Sequence, residues 1–388
     1  MTPLSRSATQ ANRPKPMGDT MTKLKLTVSI AISLVVLLGF WGTGQADGPL
    51  SYVTTLPLGA KAHDIALQED LAYVATDKGL TILDISNPAS PTIRSSIANL
   101  GSNQGVAVKG QYAYLASRYS GLEVVDVSDP DAPRIVATRK LGGQAWGVAV
   151  KDNIAYVVAF TGTLNLFDIS DPLAPRKIRT IGLIKWVNPA GDADNLQKLN
   201  DLSGGGNALV TGVSVTGNAL VTQDWGLGRL YYYDVTDAAH PRFAGTHYAP
   251  FLLKAEADPE RDVVYMLGAY GGFSGIFSVP ISAMSPTHST RYDQCSSCSF
   301  LRFDPITQGG LAVSTGGRYV LSVGGGRAQF NVVDAADTAS LKIAASARVG
   351  KAQVKSAESM GVANRGNYIY LAVGIFGIQV YLFPGVSD

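Results

Sequence analysis

Two cysteines and four histidines among 388 residues leave little from which to build a metal or thiol site. His63, His240, His247 and His288 stand apart, and no His-Glu-x-x-His pair occurs. Ser299, not histidine, follows Cys298, which excludes a c-type haem attachment. Two thiols alone also make a poor zinc set. No metal and no cofactor is expected. Charge is scarce as well, at 16% of residues, and it forms no basic stripe of the kind a nucleic-acid partner needs. No nucleophile elbow, phosphate-binding loop or dinucleotide fingerprint falls where its chemistry would work. The chain shows no complete catalytic constellation.

Glycine is plentiful, at 42 residues. Many glycines with few charges suit short strands joined by tight turns. The N-terminal stretch follows a different pattern. Lys23 and Lys25 precede an uncharged run over residues 26–41, and Gly44, Gln45 and Ala46 follow. That is a basic n-region, an apolar h-region and a small-residue cleavage site. Residues 1–46 read as a leader with a signal peptide and residues 47–388 as one domain, periplasmic or secreted to the cell surface. The competing reading is an uncleaved membrane anchor, because the uncharged run is long for an h-region. Membrane contact is expected only in that case. Five of the 32 basic and one of the 30 acidic residues fall in the leader, so the basic balance of the whole chain belongs to it.

Beyond the leader the sequence repeats. Segments 79–91, 121–133, 162–175 and 228–241 each open on glycine, run through β-branched and aromatic residues to an aspartate, and close in a turn ending on proline. Asp84, Asp126 and Asp168 are equally spaced, whereas Asp234 follows after an insertion over residues 184–207. Two short strand-like runs precede each segment and one follows it. Four short strands with turn chemistry between them make a propeller blade. Weaker copies around residues 263–286, 318–334 and 368–383 bring the count to seven. The last copy stops after its third strand, and a lone strand at residues 51–58 stands where a fourth would be. The expected fold is all-β: a seven-bladed β-propeller with ring closure by the N-terminal strand. Closure removes the open edge of a linear array.

The strands around Asp84, Asp126 and Asp168, with their Ser-Asp/Asn-Pro turns, resemble the LVIVD-repeat β-propeller family, strongly in the first three blades and loosely after. The Ala-Tyr-Val strands are also similar to YVTN-type propellers. The resemblance implies a cell-surface propeller without one shared activity. Gly-His and Trp-Asp pairs of the WD40 type are absent.

The repeated aspartates suit a structural role, each holding its own turn through a side-chain-to-backbone bond. Tyr73, Tyr114, Tyr156, Tyr265 and Tyr370 share one strand position and read as packing residues. Function should lie in the loops. In a propeller, the loops from outer strand to next inner strand share a face with those joining second and third strands. Residues entering the inner strands line the mouth of the channel: His63, Asp64, Gln104, Trp146 and Glu256 are among them. The second-to-third loops add Lys78, Arg118, Tyr119, Phe160, Asp224, Trp225 and Tyr270. With Trp186 from the insertion, the expected binding set is Trp146, Trp186, Trp225, Tyr119, Arg118, Gln104, Asp224 and Tyr270, an aromatic and charged rim. His63 and Asp64 are the acid–base candidates, although adjacent residues on an extended strand point to opposite faces. Cys295 and Cys298 are expected to form a disulfide outside the cytoplasm. Their loop is expected to follow the fifth blade on the same face as the insertion.

The leading functional expectation is a non-enzymatic binding propeller that engages a protein, peptide or glycan on its long-loop face. The alternatives are a hydrolase or lyase at the channel mouth and a membrane-anchored structural subunit of a surface assembly.

Overall fold

A computed structural model describes residues 50–98, 101–183, 209–225, 228–248, 252–270, 273–284, 290–291, 295–303, 309–313, 317–324, 329–349 and 361–386. The leader and Trp186 lie outside the described residues.

Seven antiparallel sheets follow one another, each with its inner strand first. Blade 1 comprises Ala62–Gln68, Leu71–Thr76, Gly79–Asp84 and Thr92–Ala98. Blade 2 runs from inner strand Asn103–Lys109 to outer strand Arg134–Arg139, and blade 3 from Ala145–Lys151 to Arg176–Gly182. Blade 4 runs from Val210–Thr216 to Arg242–Tyr248, blade 5 from Lys254–Asp258 to Ser299–Phe303, and blade 6 from Gly309–Val313 to Lys342–Arg348. Blade 7 takes Val362–Arg365, Tyr368–Ala372 and Ile378–Leu382 from the C-terminal end, and Ser51–Leu56 completes it. Ser51 pairs with Leu382 and Leu56 with Ile378, so the ring closes as the repeat count requires.

Local chemistry fixes the blades. In blades 1 to 4 and 7 a glycine at the start of the third strand has a positive φ, +92° at Gly121 and +80° at Gly377. A Cβ there would strike the outer strand's backbone, the carbonyl of Arg139 in one case and of Leu56 in the other. Only glycine allows that approach. The repeated aspartates hold turns, as expected: the Ser86 N–H donates to Asp84 Oδ1 at 2.8 Å, and the same bond recurs from Ser128 to Asp126 and from Thr236 to Asp234. The Ser86 hydroxyl also holds the Asp84 carboxyl below the usual carboxylate range.

The proline-bearing turns also tie blades together. Ser95 Oγ donates to the Pro130 carbonyl at 2.6 Å, Arg139 Nε to that of Pro175 at 2.6 Å, and Tyr156 OH to that of Ala238 at 2.6 Å. Tyr73, Tyr114, Tyr156, Tyr265 and Tyr370 are buried between blades. Each inter-blade space holds its own apolar cluster, for example Tyr73, Ile82, Leu115 and Val125 between blades 1 and 2.

One expectation is corrected. Cys295 and Cys298 are disulfide-bonded, with Cα atoms 5.3 Å apart. Their loop, however, joins the third strand of blade 5, Phe273–Pro280, to its outer strand, Ser299–Phe303. It therefore starts and ends on the short-turn face, opposite the insertion over residues 184–207. On the way, Thr290–Arg291 pairs in parallel with His247 and Tyr248 of blade 4.

Candidate functional site

The blade pattern sets the rim of the long-loop face. In four blades the first residue after the second strand donates its backbone N–H to the segment entering the inner strand. Asp77 bonds to Lys61, Arg118 to Ser102, Phe160 to Gln144 and Trp225 to Leu209. These four loop residues are thus equivalent. A β-bulge in the inner strand lies beside each, holding His63, Gln104, Trp146 and Thr211. The two sets alternate around the ring.

Between blades 2 and 3 they assemble into one cluster. Trp146 stacks on Phe160, with ring centroids 4.9 Å apart and planes 29° apart. The Arg118 guanidinium lies 5.1 Å from the Trp146 ring and 5.8 Å from that of Tyr119. Its Nε donates to Gln144 Oε1 at 2.7 Å. Tyr119 is 71% exposed and Trp225, on blade 4, 43%. A flat cation held between aromatic planes keeps its attraction to them while remaining open to a ligand.

Other candidates from the sequence sit elsewhere. Gln104 is buried, and its Nε2 donates to Ser102 Oγ at 2.7 Å. Asp224 is fully buried and accepts the Leu209 N–H at 3.1 Å. Both support the loops from beneath, outside the exposed rim. Tyr270 ends the second strand of blade 5, and its side chain is outside the described residues. Gln144 was missed by sequence reasoning, because nothing local to a loop glutamine says that it faces the arginine of the previous blade.

The second site is the channel. A cavity of about 680 Å³ is walled by inner strands and includes Asp64, Ser214, Lys254 and Glu256. It runs out past Thr216, Pro259 and Gly317, in turns of the short-turn face. His63 is only 1% exposed and does not line it, so the channel separates the two neighbours proposed as an acid–base pair. Adjacent inner strands nearly touch above the cavity. A Cβ on Gly105 would lie 3.1 Å from Gly147 Cα, and one on Gly361 only 2.7 Å from Asp64 Cα. Asp64 takes the position that glycine holds in blades 2, 3 and 4, and its carboxylate accepts the Val106 N–H of the next blade at 3.1 Å.

Burial raises the Asp64 carboxyl above its usual range, against the pull of Lys254. Burial pushes Glu256 up to about 7, with Asp64 adding to the rise and Lys254 and Ser214 opposing it. Two of the cavity's carboxyls are thus pushed up, while Lys254, Asp258, Glu260 and Arg261 also line it. Lys254 and Glu256 stand two apart on one strand and so share a side. No group of three metal-binding side chains occurs among the described residues.

Known proteins match the architecture. The LVIVD repeat matches residues 59–98, 100–138 and 142–178, which are blades 1 to 3. No curated protein matches the chain. Among solved structures, the WD40 β-propeller domain of Doa1 is similar with a TM-score of 0.61 at 10% identity, over 87% of this chain and 98% of that one. The computationally designed Ika8 protein is similar with a TM-score of 0.54 at 11% identity, over 86% of this chain and 100% of that one. Likeness at that identity is one of fold. The chain is a seven-bladed β-propeller whose first three blades match the LVIVD repeat.

Proposed function

We propose that the chain is an exported, non-enzymatic propeller that binds a protein, peptide or glycan on its long-loop face. The observation that carries the reading is the Arg118–Trp146–Phe160 stack with Tyr119 exposed beside it. Aromatic and arginine side chains held rigid at a surface are the usual anchors of an interface. The insertion enters the chain on the same face. The leader over residues 1–46 supports export, and a mature chain beginning at Asp47 is the outcome that intact-mass measurement should return.

The test is site-specific photo-cross-linking in the exporting host. A photoreactive residue at position 119 or 225 should trap a partner, whereas one at Leu173, exposed in a short turn of the opposite face, should not. Adducts from position 173 alone would overturn the reading.

Two observations keep other readings open. Glu256, near 7 in a cavity that Asp64 also lines, has the tuning of a general acid and favours a hydrolase or lyase. Turnover abolished by Glu256→Gln would establish that reading. Ile93, Ile135, Ile178 and Ile343 recur exposed on the outer strands of four blades, where a structural subunit would contact neighbours.

A further inference from the structure

Most described arginines on the repeat turns spend the guanidinium internally. Arg176 bonds to Asp168, Arg242 to Asp234 and Arg318 to Asp334. Arg118 is different. Its Nε is taken by Gln144 and its face by Trp146 and Tyr119, but its two terminal nitrogens meet no acceptor among the described residues. The side chain is half-buried and held in one orientation, with its fork unused.

The surroundings share its sign. Lys61, Lys78, Arg118 and Lys140 lie on the long-loop face of blades 1 to 3. Among the described residues, the acids at that face in these blades are Asp77, whose carboxylate accepts the Lys61 N–H at 2.8 Å, and Glu123, which is buried and bonds to Ser120 in the loop that holds Arg118. A preset fork in a basic surround matches a carboxylate, which it can bind with two parallel hydrogen bonds. The same face carries apolar surfaces of two kinds: the Tyr119 ring beside Arg118 and, two blades away on blade 7, Ile375, which is 68% exposed. An aliphatic side chain gives a sugar no ring to stack on, but it suits an apolar residue of a polypeptide.

Resting on the binding reading above, we infer that the ligand is an acidic polypeptide segment. A glutamate or aspartate carboxylate pairs with the terminal nitrogens of Arg118, and a neighbouring apolar side chain packs on Tyr119. The lysines draw the segment in, so association weakens as salt rises.

The test uses the full mature chain and fluorescently labelled poly(Glu,Tyr), with polygalacturonate as the carboxylate source that is not a peptide. Wild type should bind poly(Glu,Tyr), and Arg118→Gln should bind it about tenfold more weakly with an unchanged melting temperature. Arg118→Lys keeps the charge without the fork and should recover only part of the loss. Equal binding by Arg118→Gln, or full rescue by lysine, would overturn the fork. Polygalacturonate bound in place of poly(Glu,Tyr), and lost in Arg118→Gln, would assign a glycan and overturn the peptide. Binding of neither polymer would overturn the inference as well. A cross-linked partner at position 119 would then show that the rim still binds something else, whereas its absence would remove both readings.

Discussion

Blades 1 to 3 and blade 4 share a skeleton and differ in what they bury. Where the second strand ends, blades 1 to 3 place Ala75 and Thr76, Ala116 and Ser117, and Val158 and Ala159, while blade 4 places Gln223 and Asp224. Opposite Asp224, where blades 1 and 2 have glycine, stands Arg229. Gln223, Arg229 and the Tyr231 hydroxyl are buried, and among the described residues Gln223 Nε2 and Oε1, Arg229 Nε and Nη1, and Tyr231 OH have no hydrogen-bond partner. Such groups cost free energy that small or apolar residues avoid. At this position the regular blades avoid buried unpaired polar groups. Blade 4, where the insertion joins, carries polarity that the fold alone does not reward.

Reciprocal substitutions test that contrast. Val158→Gln in blade 3 should cost about 2–4 kcal/mol, because it buries an amide where blade 3 is apolar. Gln223→Val in blade 4 should be neutral or stabilise by about 1 kcal/mol. Chemical denaturation measures both, and a clear loss in the second variant would mean that Gln223 has a bonded role. Hydroxyl deletions sharpen the point. Tyr156→Phe removes the bond to the Ala238 carbonyl and should cost about 1 kcal/mol, whereas Tyr231→Phe should cost nothing measurable.

A further expected effect is a pH trend from blade 5. The Glu256 carboxyl is raised to about 7 in the folded chain. Folding therefore favours its protonated form. That contribution is complete below the ordinary glutamate range of about 4.3 and fades as pH rises through 7. Glu256→Gln should remove the slope, so the melting temperature of wild type should fall relative to the variant between about pH 5 and about pH 8. Parallel curves would show that Glu256 is not held in this way.

The regular blades were legible because their signals are local. Asp84 bonds to a residue two positions on, and Gly121 marks its strand by a φ that other residues avoid. Blade 5 was less legible. Pro286 reads as the repeat's turn, yet the outer strand is Ser299–Phe303, and only its pairing with Phe273–Pro280 identifies it. For that reason the sequence pattern alone puts the cysteine loop on the wrong face. The channel pair Asp64 and Glu256 comes from blades 1 and 5, and the Arg118–Gln144 bond crosses between blades. Ring geometry brings these residues together, and the order of residues along the chain does not reveal it.

The central claim is that partners meet the long-loop rim at the Arg118–Trp146 stack. Amide hydrogen exchange on the chain, free and with the partner trapped at position 119, tests it most directly. New protection is expected in the peptides holding Arg118, Tyr119 and Trp146 and none in the turns at Asn87, Asp129 and Asp171. Protection confined to those turns would contradict it.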